Sequence, residues 1–307
     1  MVKSVLITGA NGGLGKECAR QMALLSTTDR VYLACRSLEK ANAAKASLEE
    51  STGRSIFEIV LMDTSDLASV KSAVASLKTP VEGLVLNAGG MGGKDFDKLT
   101  KEGVIGQFAA NVLGNVYLLE EMLKAKMLTK VAMYAGSEAA RGISKMGMKQ
   151  PNLSTSSVEE FISVCDGSFF GSNIDGMASY GYIKYLGALY MSSLARKHPN
   201  IRLLTMSPGG TSGTAVMEDA PLVMKVMVKT MMALGITKLL GLFHKLEVGA
   251  KRYVNALNDE TYKTGIFYAS KKPVLVGPVV DQSTIFASIK NTQFQDNAYK
   301  AIQSFLP

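Results

Sequence analysis

The chain has 307 residues, 47% of them hydrophobic, enough for one large domain or two small ones around a sizeable core. Its formal charge is +8, yet the 34 Lys and Arg are scattered, with no run of four and no interleaved aromatics, so no nucleic-acid partner is expected. A polyanionic ligand or a membrane surface accounts better for the basic balance.

In chain order, strand-like runs alternate with helix-like ones. The strand-like runs are 4–8, 30–36, 57–63, 83–89, 130–137, 201–207 and 265–270, and the helical stretches between them are 14–26, 38–51, 66–78, 104–125, 179–197 and 248–258. Continuous apolar strands alternating with amphipathic helices imply a parallel sheet covered on both faces. The expectation is α/β: a single doubly wound domain over 1–307, with an insertion at 145–178, a long helical excursion at 215–246 and a final C-terminal helix. No apolar run is long enough to span a bilayer. The opening "SVLITGANGG" reads as a strand entering a glycine turn, not as a signal peptide. Cys18, Cys35 and Cys165 stand at unrelated spacings, which points to a reduced compartment without disulfides, and a cytoplasmic location is expected. His198 and His244 lack a ligand neighbour at helical spacing, so no metal site is expected.

The first strand ends in "TGANGGLG" (8–15), and a helix follows at once. Gly9, Gly13 and Gly15, with Asn11 and Leu14 between them, form a turn that a pyrophosphate could approach, resting on the helix N-terminus. In the first β/α unit of an alternating chain this reads as a dinucleotide site. The second strand ends in Arg36 and Ser37, where a carboxylate would select NAD. A guanidinium can clamp a 2′-phosphate instead, so NADPH/NADP+ is the expected cofactor, with Lys16 and Lys40 adding charge. Asp63, after the third strand, is placed to accept from an adenine amine, or equally to act as a turn or cap residue; Asp66 reads as a turn or cap residue too. Asn87, Ala88 and Gly89 end the fourth strand with small residues against which a cofactor could lie, and Asn87 can brace the strand ends.

Two Tyr/Lys pairs stand four apart, Tyr180 with Lys184 and Tyr268 with Lys272, and spacing alone does not choose between them. On a strand, however, i and i+4 lie roughly 13 Å apart, which disfavours the second pair.

The ordered set "TGANGGLG", "NAG" (87–89), "NVLG" (111–114), Ser137, "YGYIK" (180–184) and "SPGG" (207–210) resembles the short-chain dehydrogenase/reductase family over about residues 1–270. The resemblance implies that Tyr180 is a proton donor and that Lys184 lowers its pKa and holds the nicotinamide ribose. It further implies that Ser137 donates to the substrate oxygen and that Asn111 supports a water and proton relay behind the lysine. Pro208 and Gly209 should lie near the nicotinamide, with Thr211 or Thr214 beside it. The implied activity is NADPH-dependent hydride transfer to or from a carbonyl or alcohol. The alternatives are reduction of a conjugated C=C bond and a non-catalytic NADP-binding sensor.

Two departures from the compact family pattern bear on partners. Ser137 and Tyr180 are 43 residues apart, a spacing similar to the carbonyl reductase, retinol dehydrogenase and protochlorophyllide reductase branch. The insertion could cover a helical dimer face, so a monomer is favoured over a dimer. Segment 215–246 carries five methionines between 217 and 232 and no acidic residue between Asp219 and Glu247. It is expected to be a lid over a bulky lipophilic substrate, with a peripheral membrane contact or plain core packing as competing readings.

Overall fold

The computed structural model describes residues 1–212, 230 and 241–307. Most of the expected lid, 215–229 and 231–240, lies outside the described residues.

Strands β1 (Ser4–Thr8), β2 (Arg30–Cys35), β3 (Phe57–Leu61), β4 (Val81–Leu86), β5 (Leu128–Ala135), β6 (Arg202–Met206), β7 (Phe267–Ser270) and β8 (Val279–Asp281) form one sheet in the order β3-β2-β1-β4-β5-β6-β7-β8. Every pairing is parallel except β7 with β8. β1 pairs with both β2 and β4, so the strand order reverses direction there and leaves a crevice at the carboxyl ends of those strands. This is the doubly wound α/β architecture expected from the alternation.

Successive side chains of a strand point to opposite faces, and each face here has its own core. Val5, Ile7, Val31 and Leu33 meet Cys18, Met22 and Tyr253 on one side. Leu6, Tyr32 and Leu84 meet Val70, Leu118 and Leu189 on the other. The first side is covered by α1 (Gly13–Ala23) and α2 (Leu38–Thr52), the second by α3 (Leu67–Ser76).

The expected helix over 104–125 is broken into three parts: α4 (Gly106–Phe108), a π-helical turn (Ala109–Leu113) and α5 (Gly114–Lys124). A Cβ on Gly114 would collide with the Thr64 carbonyl, so glycine lets α5 press against the loop after β3.

The 145–178 insertion contains a helix that its Ser and Gly content hides, α6 (Val158–Asp166). Ser157 caps it, and Glu160 accepts from the amides of Ser154, Thr155 and Ser156. Phe161, Val164 and Cys165 recur at helical spacing and are buried. Helix α7 (Gly176–Lys197) begins three residues earlier than expected because Asp175 accepts from the amides of Met177 and Ala178. The chain continues through α8 (Leu246–Asn258) and ends in α9 (Thr292–Gln303), the final helix expected from the sequence. Strand β8 was not expected; it is three residues long and follows Gly277-Pro278.

Candidate active site

The β1–α1 turn is built for a backbone approach. Gly9 and Gly13 have φ of +65° and +50°, which disfavours side chains. A Cβ on Gly15 would collide with the Gly9 carbonyl and come within 2.7 Å of Asn87 Nδ2. The N-cap of α1 is Gly12, which supplies no side-chain cap, so the amides of the first turn face outward without a competing side-chain acceptor. Asn11 is exposed at the mouth of the turn, and Leu14 packs back against the core.

Thr8 ties this turn to the next strand. Its hydroxyl accepts from the amides of Asn87 (2.8 Å) and Ala88 (2.7 Å) and lies 3.2 Å from Asn115 Oδ1. Asn87 Nδ2 donates to the Thr8 carbonyl at 2.8 Å, so Asn87 does brace the strand ends. Gly89 has φ +154°, and a Cβ there would come within 2.5 Å of Asn111 Oδ1.

Arg36 stands exposed just past β2, next to Ser37, whose hydroxyl caps α2 by accepting from the Lys40 amide at 3.3 Å. Lys40 is exposed on the same turn, whereas Lys16 donates to the Ser47 hydroxyl at 2.8 Å. One carboxylate oxygen of Asp63 accepts from the Ser65 amide and hydroxyl, at 2.9 and 2.6 Å. Asp63 therefore acts at least as a turn residue. Asp66 caps α3 and pairs with Lys101.

Ser137, Tyr180 and Lys184 come together at the carboxyl end of β5. Ser137 caps a short 3-10 turn (Glu138–Arg141), and its hydroxyl is near enough to the Tyr180 phenol to act on its ionisation. Lys184 Nζ lies 5.6 Å from the centroid of the Tyr180 ring and 5.0 Å from that of Tyr134. It donates to the Ala135 carbonyl at 2.9 Å. Glycine brings α7 this close to β5, since a Cβ on Gly187 would stand 2.6 Å from the Tyr134 hydroxyl.

Burial governs both ionisable groups. It pushes the Tyr180 phenol up to about 12; the Ser137 hydroxyl works against that shift and the Glu138 charge adds to it. It pulls the Lys184 ammonium down to about 7. The expectation that Lys184 depresses Tyr180 is thus not met in the chain alone, where burial is the leading cause and raises the phenol.

Asn111 has a dense set of backbone partners. It sits in the π-helical turn, where its amide clasps both backbone groups of Gly90 (3.2 and 2.7 Å) and donates to the Gln107 carbonyl at 2.8 Å. Its own carbonyl accepts from the Tyr134 hydroxyl at 3.1 Å and from Asn115 at 3.2 Å. Through the Gly90 contacts Asn111 reaches the loop after β4.

The other tyrosines of the "YGYIKYLGALY" helix have separate partners. Tyr182 bonds Asn152 in the insertion, Tyr185 donates to Ser288, and Tyr190 donates to Glu120. Tyr268 lies on β7, and its hydroxyl accepts from the Lys263 amide at 2.9 Å, far from any role with Lys272.

Pro208 and Gly209 follow β6 on the same edge of the sheet. The Pro208 carbonyl lies 2.8 Å from His244 Nε2, and Gly209 has φ +78°. Thr211 and His244 form a parallel bridge. The Ser212 amide donates to the His244 carbonyl at 3.1 Å. The described residues on either side, Thr211–Ser212 and His244, therefore meet at this turn; Thr214 lies outside the described residues. Tyr180 packs with Ala139, Ile143, Met148, Leu242, Phe243 and Leu275, an apolar wall.

Sequence reasoning passed over Thr8, Asn115 and Glu138. Thr8 opens the glycine motif, Asn115 stands one turn after Asn111, and Glu138 adjoins Ser137, so each had a positional signal.

Residues 3–137 match the family model described as short chain dehydrogenase. A short-chain dehydrogenase/reductase of Armillaria gallica is 38% identical over 125 residues, covering 40% of this chain and 40% of that protein. Retinol dehydrogenase 12 of Mus musculus is 34% identical over 134 residues, 42% of each chain. Among solved structures, L-sorbose reductase from Gluconobacter frateurii, complexed with NADPH and L-sorbose, has a TM-score of 0.64 at 18% identity, covering 90% of this chain and 97% of that one. Over residues 3–137 the chain is similar to the short-chain dehydrogenase/reductase family. It spans about two-fifths of the length of the curated relatives it matches first. No helix among the described residues is long and apolar enough to cross a membrane.

Proposed function

We propose that this chain is an NADPH-dependent oxidoreductase that interconverts a carbonyl and an alcohol on a bulky, apolar substrate. The observation that carries the reading is the grouping of Ser137, Tyr180 and Lys184 at the sheet edge that also bears the β1–α1 glycine turn.

The cradle fits a dinucleotide, because the positions where a side chain would obstruct it hold glycine and the first turn of α1 has no side-chain cap. Gly9, Gly13 and Gly15 would receive the pyrophosphate, and Arg36 with Ser37 the 2′-phosphate. Asn87, Ala88 and Gly89, with Pro208 and Gly209, would flank the nicotinamide half. Bound there, NADPH supplies the hydride. L-sorbose reductase and the carbonyl reductase from chicken fatty liver are described with NADPH bound, which supports the same choice here.

The chain's own contribution is proton chemistry. With its pKa held near 12, Tyr180 keeps its proton at neutral pH and can deliver it to an oxygen that gains negative charge. The Ser137 hydroxyl, beside that phenol, can donate to the same oxygen. Lys184 is close to its titration midpoint at neutral pH, as suits a group that passes a proton inward. The apolar wall of Ile143, Met148, Leu242, Phe243 and Leu275 supports a substrate whose carbonyl carries hydrocarbon.

The test follows NADPH absorbance against small and bulky lipophilic carbonyls, with wild type and Tyr180→Phe, and repeats it with NADH. Turnover that favours NADPH and bulky substrates and falls at least about 100-fold in Tyr180→Phe is expected. NADPH binding without turnover of any carbonyl would overturn the reading and put reduction of a conjugated C=C bond or a sensing role ahead.

A further inference from the structure

Beneath the Ser137–Tyr180–Lys184 group lies a second polar cluster that the proposed chemistry does not use. Glu138, the neighbour of Ser137, is 3% exposed, and Arg252, on α8, is 7% exposed. Glu138 Oε2 accepts from the Ser207 hydroxyl at 2.5 Å, and Oε1 accepts from the Ser270 amide at 2.9 Å. Arg252 Nη1 lies 3.8 Å from Glu138 Oε1 and donates to Ser270 Oγ at 3.0 Å, while Nη2 donates to the Gly277 carbonyl at 3.0 Å. Arg141, 2% exposed, donates to the Ser270 carbonyl at 3.0 Å.

This cluster joins three separate strand ends. Glu138 belongs to the turn after β5, Ser207 follows β6, and Ser270 ends β7. Ser207 Oγ also accepts from the Gly209 amide at 3.0 Å, so the connection runs from the carboxylate into the Pro208–Gly209 turn. The site leaves no slack there, because a Cβ on Gly209 would approach Arg252 Nη1 to 2.7 Å. A buried carboxylate is costly unless its oxygens are bonded, and here both oxygens have donors, each from a different loop.

We propose that Glu138 and Arg252 are positioning residues: they fasten the Ser137 turn to the Ser207–Pro208–Gly209 turn, so that the two sides of the reaction site keep one spacing. The proposal rests on the oxidoreductase reading of that site. Neither side chain touches the reacting atoms; both act through Ser137 and the Pro208–Gly209 backbone. The carboxylate also faces Tyr180, together with Lys184, Tyr134 and Tyr253 from the neighbouring elements, and its charge favours the protonated phenol.

Three variants separate the parts of the clamp. Glu138→Gln keeps the length and can still bond Ser207 and Ser270, but lacks the charge. Glu138→Ala loses both of its bonds, and Ser207→Ala loses the bond to Glu138 and the one from the Gly209 amide while leaving the Ser270 bond to the carboxylate in place. Steady-state kinetics with NADPH should show kcat down roughly 10- to 100-fold in Glu138→Ala and less in Ser207→Ala, with the KM for NADPH within about twofold. Glu138→Gln should recover most of kcat, and the alkaline fall of its pH profile should begin at lower pH than in wild type.

Full kcat in Glu138→Ala, or equal losses in Glu138→Gln and Glu138→Ala, would overturn the clamp. If Glu138→Ala does not fold, Ser207→Ala decides: wild-type kcat overturns the proposal and a reduced kcat supports it. Tyr180→Phe serves as the control. A Tyr180→Phe chain as active as wild type defeats the underlying oxidoreductase reading, whereas an inactive one beside an unaffected Glu138→Ala defeats only the clamp.

Discussion

At the scale of single residues, Lys184 shows how burial sets the chemistry. It is 4% exposed and has a backbone carbonyl as acceptor, so charging it inside the fold is unfavourable and its pKa falls to about 7. The unfolded chain holds this proton up to the ordinary lysine range near 10.4, while the folded chain has released it above about 7. Between those values the unfolded state binds more protons, so this residue makes stability rise with pH, by at most about 1.4 kcal/mol per pH unit. Melting temperatures of wild type and Lys184→Met, compared from pH 7 to 9, should show a steeper rise in wild type. Parallel curves would mean that Lys184 is charged in the fold. Gly15 is a second residue-scale test. With Gly9 and Asn87 in the way, Gly15→Ala must open the turn, and NADPH affinity, measured by cofactor fluorescence, should drop at least tenfold, or about 1.4 kcal/mol. Unchanged affinity would place the cofactor elsewhere.

At the scale of elements, α7 carries Tyr180 and Lys184 and is buried on nearly every face, unlike a surface helix. Two later segments make it so. α9 lies along it, with Tyr299 stacked on Tyr190 at 5.2 Å, Asp296 accepting from Ser193 at 2.6 Å and Arg196 paired with Asp296. α6 packs beside α9, and Asn297 donates to the Ser156 carbonyl at 2.9 Å. Gln303 then reaches across to Tyr190 (2.7 Å) and to Glu120 on α5 (2.9 Å). Ile302 is fully buried in this layer, so Ile302→Ala should destabilise the fold by about 2–5 kcal/mol in urea unfolding. A loss under about 0.5 kcal/mol would mean that α9 adds little to the core. These elements were unevenly legible. The α9 pattern was readable at the chain end, but α6 was hidden because Ser, Gly and Asn around it outweighed Val158, Phe161 and Cys165. The π-turn at Ala109–Leu113 was hidden because periodicity sees only a continuous helix across 104–125.

At the scale of the whole molecule, α6 and α9 together cover the outer face of α7 and part of α5. The chain supplies its own cover there, so a monomer is expected. Sedimentation at micromolar concentration should give the mass of one 307-residue chain, and a concentration-dependent dimer would show that another surface associates. The alternation of apolar strands and helices, the glycine turn, and the presence of Ser137, Tyr180 and Lys184 were all readable from the sequence by itself, because each depends on local spacing or residue type. So was the choice of Tyr180–Lys184 over Tyr268–Lys272, because the strand-like run at 265–270 and the family resemblance both disfavoured the second pair. Only the fold decided the burial that sends Tyr180 and Lys184 in opposite directions, and the tie from Glu138 to Ser207 and Ser270. Those facts join residues 69 to 132 positions apart, and only the packing of distant segments into one low-dielectric interior creates them.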